Sequence, residues 1–339
     1  MQRRITMKAL FICEKKDVFE NVYGDATKEK IKEFADTDMK VYTKAEIMSD
    51  RSLSSDTEYL FSTWNMPVFT KEEIKECFPS LRAVFYAAGT VQFFARPFLE
   101  CKVEVFSAWA ANAVPVAEYT VSQIILANKG FFASSRYMSR GEIAKARACA
   151  NAYRGNFGAK VGIIGAGMIG KLVINMLKGY KLDVLVFDPF LPDEKAEELG
   201  VQKCSLEKVF AECAVVSNHL ANNEQTKGML CARLFDTMRP FSTFINTGRG
   251  AQVVEDDLVK LLEEREDITA ILDVTYPEPP VAGHSFYKLE NCILTPHIAG
   301  RSGDEVKRMS EYMYEEALLF DKGEKTNYSV SLEMLKTMA

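Results

Sequence analysis

Nowhere along its 339 residues does the chain hold a run of ~18 apolar residues, the least a membrane-crossing helix needs, so no membrane span is expected. The basic start, "MQRRITMKALFICEKK", has too short an apolar run for a secretory signal and no small-residue cleavage site. Basic charge is not in excess. Lys and Arg number 42 against 47 Asp and Glu, a net charge of -5, which argues against a nucleic-acid partner held by a broad basic surface. The eight cysteines include no C-x-x-C pair. That leaves zinc and thioredoxin-like redox readings without support, and reduced thiols in a cytoplasmic protein as the expectation. The three histidines lie far apart without a paired carboxylate pattern, so no metal site is expected. Internal repeats and low-complexity tracts are absent as well.

What is present is ample core material. Hydrophobic residues make up 47% and charged residues 26%, on a length that suits one large or two ordinary domains. From residue 160 onward two periodicities alternate. Strands are read at "KVGII", "DVLVF", "AVVSNHL", "STFINT", "ITAILDV" and "NCIL". Ile169, Leu172, Val173, Met176 and Leu177 mark one face of a helix. "GMLCARLF" and "EDDLVKLLEER" are read as two more, the second with an acidic first turn that suits the helix dipole. Apolar strands without polar alternation, separated by amphipathic helices, predict a parallel sheet covered on both faces. Residues 8–110 alternate more loosely, with strands at "KALFIC", "MKVYT", "EYLFST", "RAVFYAA" and "VEVFSA" and a helix at "KEEIKECF". They predict a second, smaller α/β unit. The apolar stretch 114–130 is read as a helix crossing between the two, and 303–323 as a helix crossing back.

"VGIIGAGMIG" contains the G-x-G-x-x-G pattern as Gly165, Gly167 and Gly170, between a strand and a helix. Gly165 would permit the tight turn, Gly167 the close approach of a pyrophosphate, and Gly170 close helix–strand packing. Asp188 ends the next strand 23 positions after Gly165, near the offset of an acid that binds the adenosine ribose. A carboxylate there would repel a 2′-phosphate, so NAD is expected over NADP.

"INTGRG" (245–250), "DVTYPEPP" (273–280) and "TPHIAG" (295–300) each follow a predicted strand, on the edge where parallel sheets bind ligands. Singly, Arg249, Glu278 and His297 have ordinary structural explanations. Together they offer an anion clamp, an orienting carboxylate and an imidazole acid/base, the groups that move a proton and a hydride on a carboxylated substrate. His284, in "AGHSFY", has no motif partner and is read as a solvent-facing loop residue.

These motifs, with "NAVPVAEYT" ahead of them, resemble in order and spacing the D-isomer-specific 2-hydroxyacid dehydrogenase family over about residues 82–301. The resemblance implies an NAD-dependent enzyme interconverting a small 2-keto acid and its D-2-hydroxy acid. It implies two Rossmann- or flavodoxin-like doubly wound domains with the active site in the cleft between them. The substrate domain would be discontinuous, 1–113 and 303–339, and the NAD domain 114–302. A homodimer is implied too.

Carried over by position, Arg249 binds the substrate carboxylate and carbonyl, His297 exchanges the proton, and Glu278 partners His297. Met168, Ile169, His219, Thr247, Asp273 and Gly300 join the cofactor set. Ala88, Gly89 and Thr90 cradle the substrate carboxylate, with Asn112 close by. After that loop the chain departs from the family with "VQFFARPFLE" and with Trp109, so Trp109, Phe93 and Phe94 either line the substrate pocket or pack in the core. Formate oxidation is disfavoured by Glu278, where that group carries glutamine. Phosphoglycerate oxidation stays possible, though no appended regulatory domain is expected. The rival from another class is an NAD(H)-sensing, corepressor-like binding protein with little turnover.

Overall fold

In the computed structural model, which describes residues 7–336, the chain divides into two units: Met1–Asn112 with Arg301–Ala339, and Ala113–Gly300. The first is built on parallel strands β1 (Ala9–Ile12), β2 (Val41–Tyr42), β3 (Tyr59–Ser62), β4 (Ala83–Tyr86) and β5 (Glu104–Ser107). Their order is β5-β4-β3-β1-β2, and Ser329–Val330 adds an antiparallel edge beside β5. Register places Phe11 beside Phe61, Phe61 beside Phe85, and Phe85 beside Phe106. The four rings form a ladder across the sheet with centroids 6.1, 5.1 and 5.0 Å apart. Such pairs add about 0.5–1.5 kcal/mol each beyond the area they bury. The helix Lys307–Lys322 returns to this unit and buries Met309, Met313 and Ala317 in the same core.

The second unit holds β6 (Ala159–Ile164), β7 (Leu182–Phe187), β8 (Gln202–Lys203), β9 (Val215–Asn218), β10 (Thr243–Asn246), β11 (Thr269–Leu272) and β12 (Cys292–Leu294). All pair in parallel, in the order β12-β11-β10-β9-β6-β7-β8. Strand neighbours alternate between two buried clusters: Val215, Ile245 and Ile271 belong to one, Val216, Phe244 and Ala270 to the other. Each face of the sheet therefore has its own core, which is why the strands lack polar alternation. The α/β class with two doubly wound parallel sheets holds. The sheet order reverses between β6 and β9, the switch point where such folds bind ligands.

Several local expectations need correction. "GMLCARLF" is helical only over Ala232–Phe235, because Leu230 forms a β-bridge with Val253 instead. The helix Met168–Leu177 buries Gly170, Val173, Ile174 and Leu177, while Ile169, Leu172 and Met176 are half-buried at its margin. The returning helix begins with a 3-10 turn, Gly303–Val306. Helices Lys16–Phe34, Phe131–Ser139 and Ile143–Ala152 were not anticipated.

Candidate active site

The glycine loop joins β6 to the helix Met168–Leu177 at the switch point. Gly165 adopts φ +89°, and a Cβ there would stand 2.8 Å from the His219 carbonyl oxygen, so only glycine fits this turn. A Cβ on Gly170 would meet the Gly165 oxygen at 2.0 Å, whereas one on Gly167 would meet no protein atom. Gly167 thus fronts open space at a helix N-terminus, where free amides can receive a phosphate. Asp188 lies against this loop. Its Oδ2 accepts from the Ala166 N–H at 2.7 Å and its Oδ1 from the Phe190 N–H at 2.8 Å. Met168 is exposed, and Ile169 half-buried, on the first turn of the helix. The donor set and the open cradle fit a dinucleotide.

After β9, His219 is buried, its Nε2 2.9 Å from Ser217 Oγ and its Nδ1 3.4 Å from Thr247 Oγ1. Burial alone pushes its pKa down to about 3, so the ring is neutral.

Arg249 is seated by an amide cluster that sequence reading missed. Asn218 Nδ2 donates to Asn246 Oδ1 (3.0 Å) and to Gln252 Oε1 (2.7 Å). Gln252 Oε1 also accepts the Arg249 N–H, and Asn246 Nδ2 donates to the Arg249 oxygen. All three amides are buried. The Arg249 guanidinium donates to the Gly248 carbonyl at 2.7 Å. Burial lowers its pKa from the ordinary arginine value, and the Glu278 charge opposes this. A Cβ on Gly250 would fall 2.0 Å from the Thr275 backbone, so glycine is what lets the arginine loop rest on the strand-end segment leading to Glu278.

Glu278 and His297 come together: Glu278 Oε1 is 2.6 Å from His297 Nδ1, with both side chains part-exposed. His297 sits at φ +54°, uncommon for a residue with a side chain. The buried Asp273 holds the segment in place. Its Oδ1 accepts from Thr295 Oγ1 (2.6 Å) and the Ile298 N–H (2.8 Å), and its Oδ2 from the Ala299 N–H (3.0 Å). Gly300 follows directly and is buried.

In the first unit, Ala88, Gly89 and Thr90 follow β4, becoming progressively more exposed along the loop. Asn112 Nδ2 lies 4.0 Å from where a Gly89 Cβ would be, and its Oδ1 is buried without a hydrogen-bond partner. An orphaned acceptor beside this loop is open to a ligand donor. Phe94 is fully buried in the core, whereas Phe93 is 46% exposed. Trp109 is half-buried, edge-on to Tyr328 at 5.9 Å. The reading of His284 needs correction: it is not solvent-facing. It is half-buried against Phe286, with Nε2 3.7 Å from Glu255 Oε2.

The family model for the D-isomer specific 2-hydroxyacid dehydrogenase, NAD binding domain, matches residues 121–299. YoaD of Bacillus subtilis is 33% identical over 228 residues, 66% of this chain and 65% of that one. A glyoxylate reductase of Korarchaeum cryptofilum is 29% identical over 78% of this chain and 80% of its own length. An (S)-sulfolactate dehydrogenase of Chromohalobacter salexigens is 30% identical over 70% and 77%. Among solved structures, a phosphoglycerate oxidoreductase from Rhizobium etli superposes with TM-score 0.79 at 21% identity, covering 95% of this chain and 98% of that one. The apo D-mandelate dehydrogenase of Rhodotorula graminis gives 0.78 at 17%, covering 96% and 97%. At such identities the structures establish the fold. With the glycine loop, the arginine loop and the His297 segment all inside the matched region, the chain belongs to the D-isomer-specific 2-hydroxyacid dehydrogenase family.

Proposed function

We propose that this protein is an NAD-dependent oxidoreductase that interconverts a 2-keto acid and its D-2-hydroxy acid. The observation that carries the reading is the 2.6 Å contact of His297 with Glu278, on a segment clamped by Asp273. With Glu278 on Nδ1, the Nε2 of His297 is left to exchange a proton with the C2 oxygen. Arg249 would bind the substrate carboxylate through its planar fork and polarise the carbonyl. Ala88, Gly89, Thr90 and Asn112 would offer further hydrogen bonds to the substrate; Trp109, edge-on to Tyr328, would act through packing.

Gly165, Gly167, Met168, Ile169, Gly170 and Asp188 would hold NAD, with His219, Thr247, Asp273 and Gly300 at its other end. When bound, NAD supplies or accepts the hydride at C2. Asp188 would hydrogen-bond the ribose hydroxyls and repel a 2′-phosphate. The exposed apolar residues Leu126, Phe131, Met138 and Ile143 support a homodimer formed through this unit. The eight free cysteines suit a cytoplasmic setting.

The test is NADH oxidation with a panel of 2-keto acids, in wild type and His297→Gln, beside NADH titrations. The reading expects turnover in wild type and its near-abolition in the variant, with NADH binding kept. Tight NADH binding without turnover of any keto acid would sink it and favour a sensor.

A further inference from the structure

The first unit carries a cavity of about 570 Å³, within the range of small-molecule sites. Its walls come from the C-terminal ends of four adjacent strands: Glu14 after β1, Lys44 after β2, Trp64, Met66 and Val68 after β3, and Tyr86 at the end of β4. The order β4-β3-β1-β2 reverses between β1 and β3, so the cavity straddles this sheet's switch point. Phe93 completes it, its ring 6.3 Å from that of Tyr86.

The chain between those two rings is the loop carrying Ala88, Gly89 and Thr90. A substrate whose carboxylate sits on that loop therefore has this cavity beside it. The cavity's charges are already matched. Lys44 Nζ donates to Glu73 at 2.7 Å and to the Val68 carbonyl at 2.8 Å, and the Lys44 N–H donates to Glu14. No cation is left free there to receive a phosphate or sulfonate. What remains is mostly aromatic and aliphatic surface, with the Asn65 side chain and the Tyr86 hydroxyl as polar groups. Tyr86 is buried, and its hydroxyl makes no hydrogen bond to a described residue.

We infer that the cavity receives the side chain of the substrate and that this side chain is an aryl group, so that the preferred substrate is an aryl-substituted 2-keto acid. The inference rests on the 2-keto acid reading above. The methyl of pyruvate would leave most of the walls wet. A phenyl or indolyl ring can lie against Trp64 and Phe93, and aromatic side chains bury roughly 150–250 Å² each. A ring substituent that donates or accepts would also find the Tyr86 hydroxyl.

The experiment compares kcat/KM for glyoxylate, pyruvate, phenylpyruvate, 4-hydroxyphenylpyruvate and indole-3-pyruvate in wild type and Val68→Trp. Val68 is 52% exposed, so the larger ring can be accommodated without disturbing the core while filling the cavity. Expected is at least tenfold preference for an aryl substrate over glyoxylate in wild type, and a fall of about tenfold or more in that ratio in the variant. Preference for glyoxylate or pyruvate, or an unmoved ratio, overturns the inference while the oxidoreductase reading stands. Should no keto acid turn over, calorimetric titration with phenylpyruvate decides the cavity separately. Binding weakened by Val68→Trp upholds it, and absence of binding overturns it.

Discussion

Asn218 and Gln252, 34 positions apart, share a side-chain hydrogen bond of 2.7 Å, and the same Gln252 oxygen receives the backbone N–H of Arg249. The arginine loop is thus fastened to the end of β9 by a buried amide rather than by apolar packing.

Replacing Gln252 by Leu keeps the volume and strands the donors of Asn218 and Arg249. An unsatisfied buried donor costs about 1–3 kcal/mol, so chemical denaturation should show a loss of that order. Substrate kcat/KM should fall much more than NADH affinity if, as proposed, Arg249 clamps the substrate carboxylate. Equal loss of both would mean that the amide cluster serves the whole unit and not Arg249.

Asp273→Asn tests the clamp on His297. The carboxylate accepts from three donors of one short segment, and an amide can replace only part of that set. Backbone amide exchange at Ile298 and Ala299 should quicken markedly, with a stability loss of about 1.5–3 kcal/mol for bonds to a charged acceptor. Unchanged exchange at those two amides would show that the segment is held otherwise.

Stability should depend on pH through His219. Burial lowers its pKa from near 6.5 to about 3, so between those values the unfolded chain binds a proton that the folded chain refuses. The contribution is fully present above pH 6.5 and is lost as pH falls, at about 1.4 kcal/mol per pH unit. Unfolding free energies measured across this window should be less steep in His219→Gln. Parallel curves would show that the imidazole titrates freely in the folded state.

Cofactor choice should turn on Asp188. Removing its charge in Asp188→Ser removes the repulsion toward a 2′-phosphate, so the ratio of kcat/KM for NADH over NADPH should shrink by tenfold or more. A wild type that prefers NADPH would refute the ribose assignment.

Much of this molecule was legible from local pattern. The strands of both sheets fall where short apolar runs are bounded by turn residues, because a strand covered on both faces needs only local apolarity. The glycine fingerprint was legible for a similar reason, since a positive φ at Gly165 and the crowding at Gly170 admit almost nothing else. Hydrogen-bond partners are chosen across long distances in the chain, and there local pattern is silent. "VVSN" and "TFIN" both end in asparagine, yet nothing in either shows that Asn218 and Asn246 meet each other and Gln252 beneath Arg249. The adjacent Phe93 and Phe94 are identical as letters, and only the packing of β4 sends one into the core and leaves the other on a cavity wall. His284 looked solitary until folding brought Glu255 to it from 29 residues away. Sequence periodicity determined which segments would be buried. The tertiary structure decided which polar groups meet, because a buried donor is satisfied by whatever the fold places within about 3 Å of it.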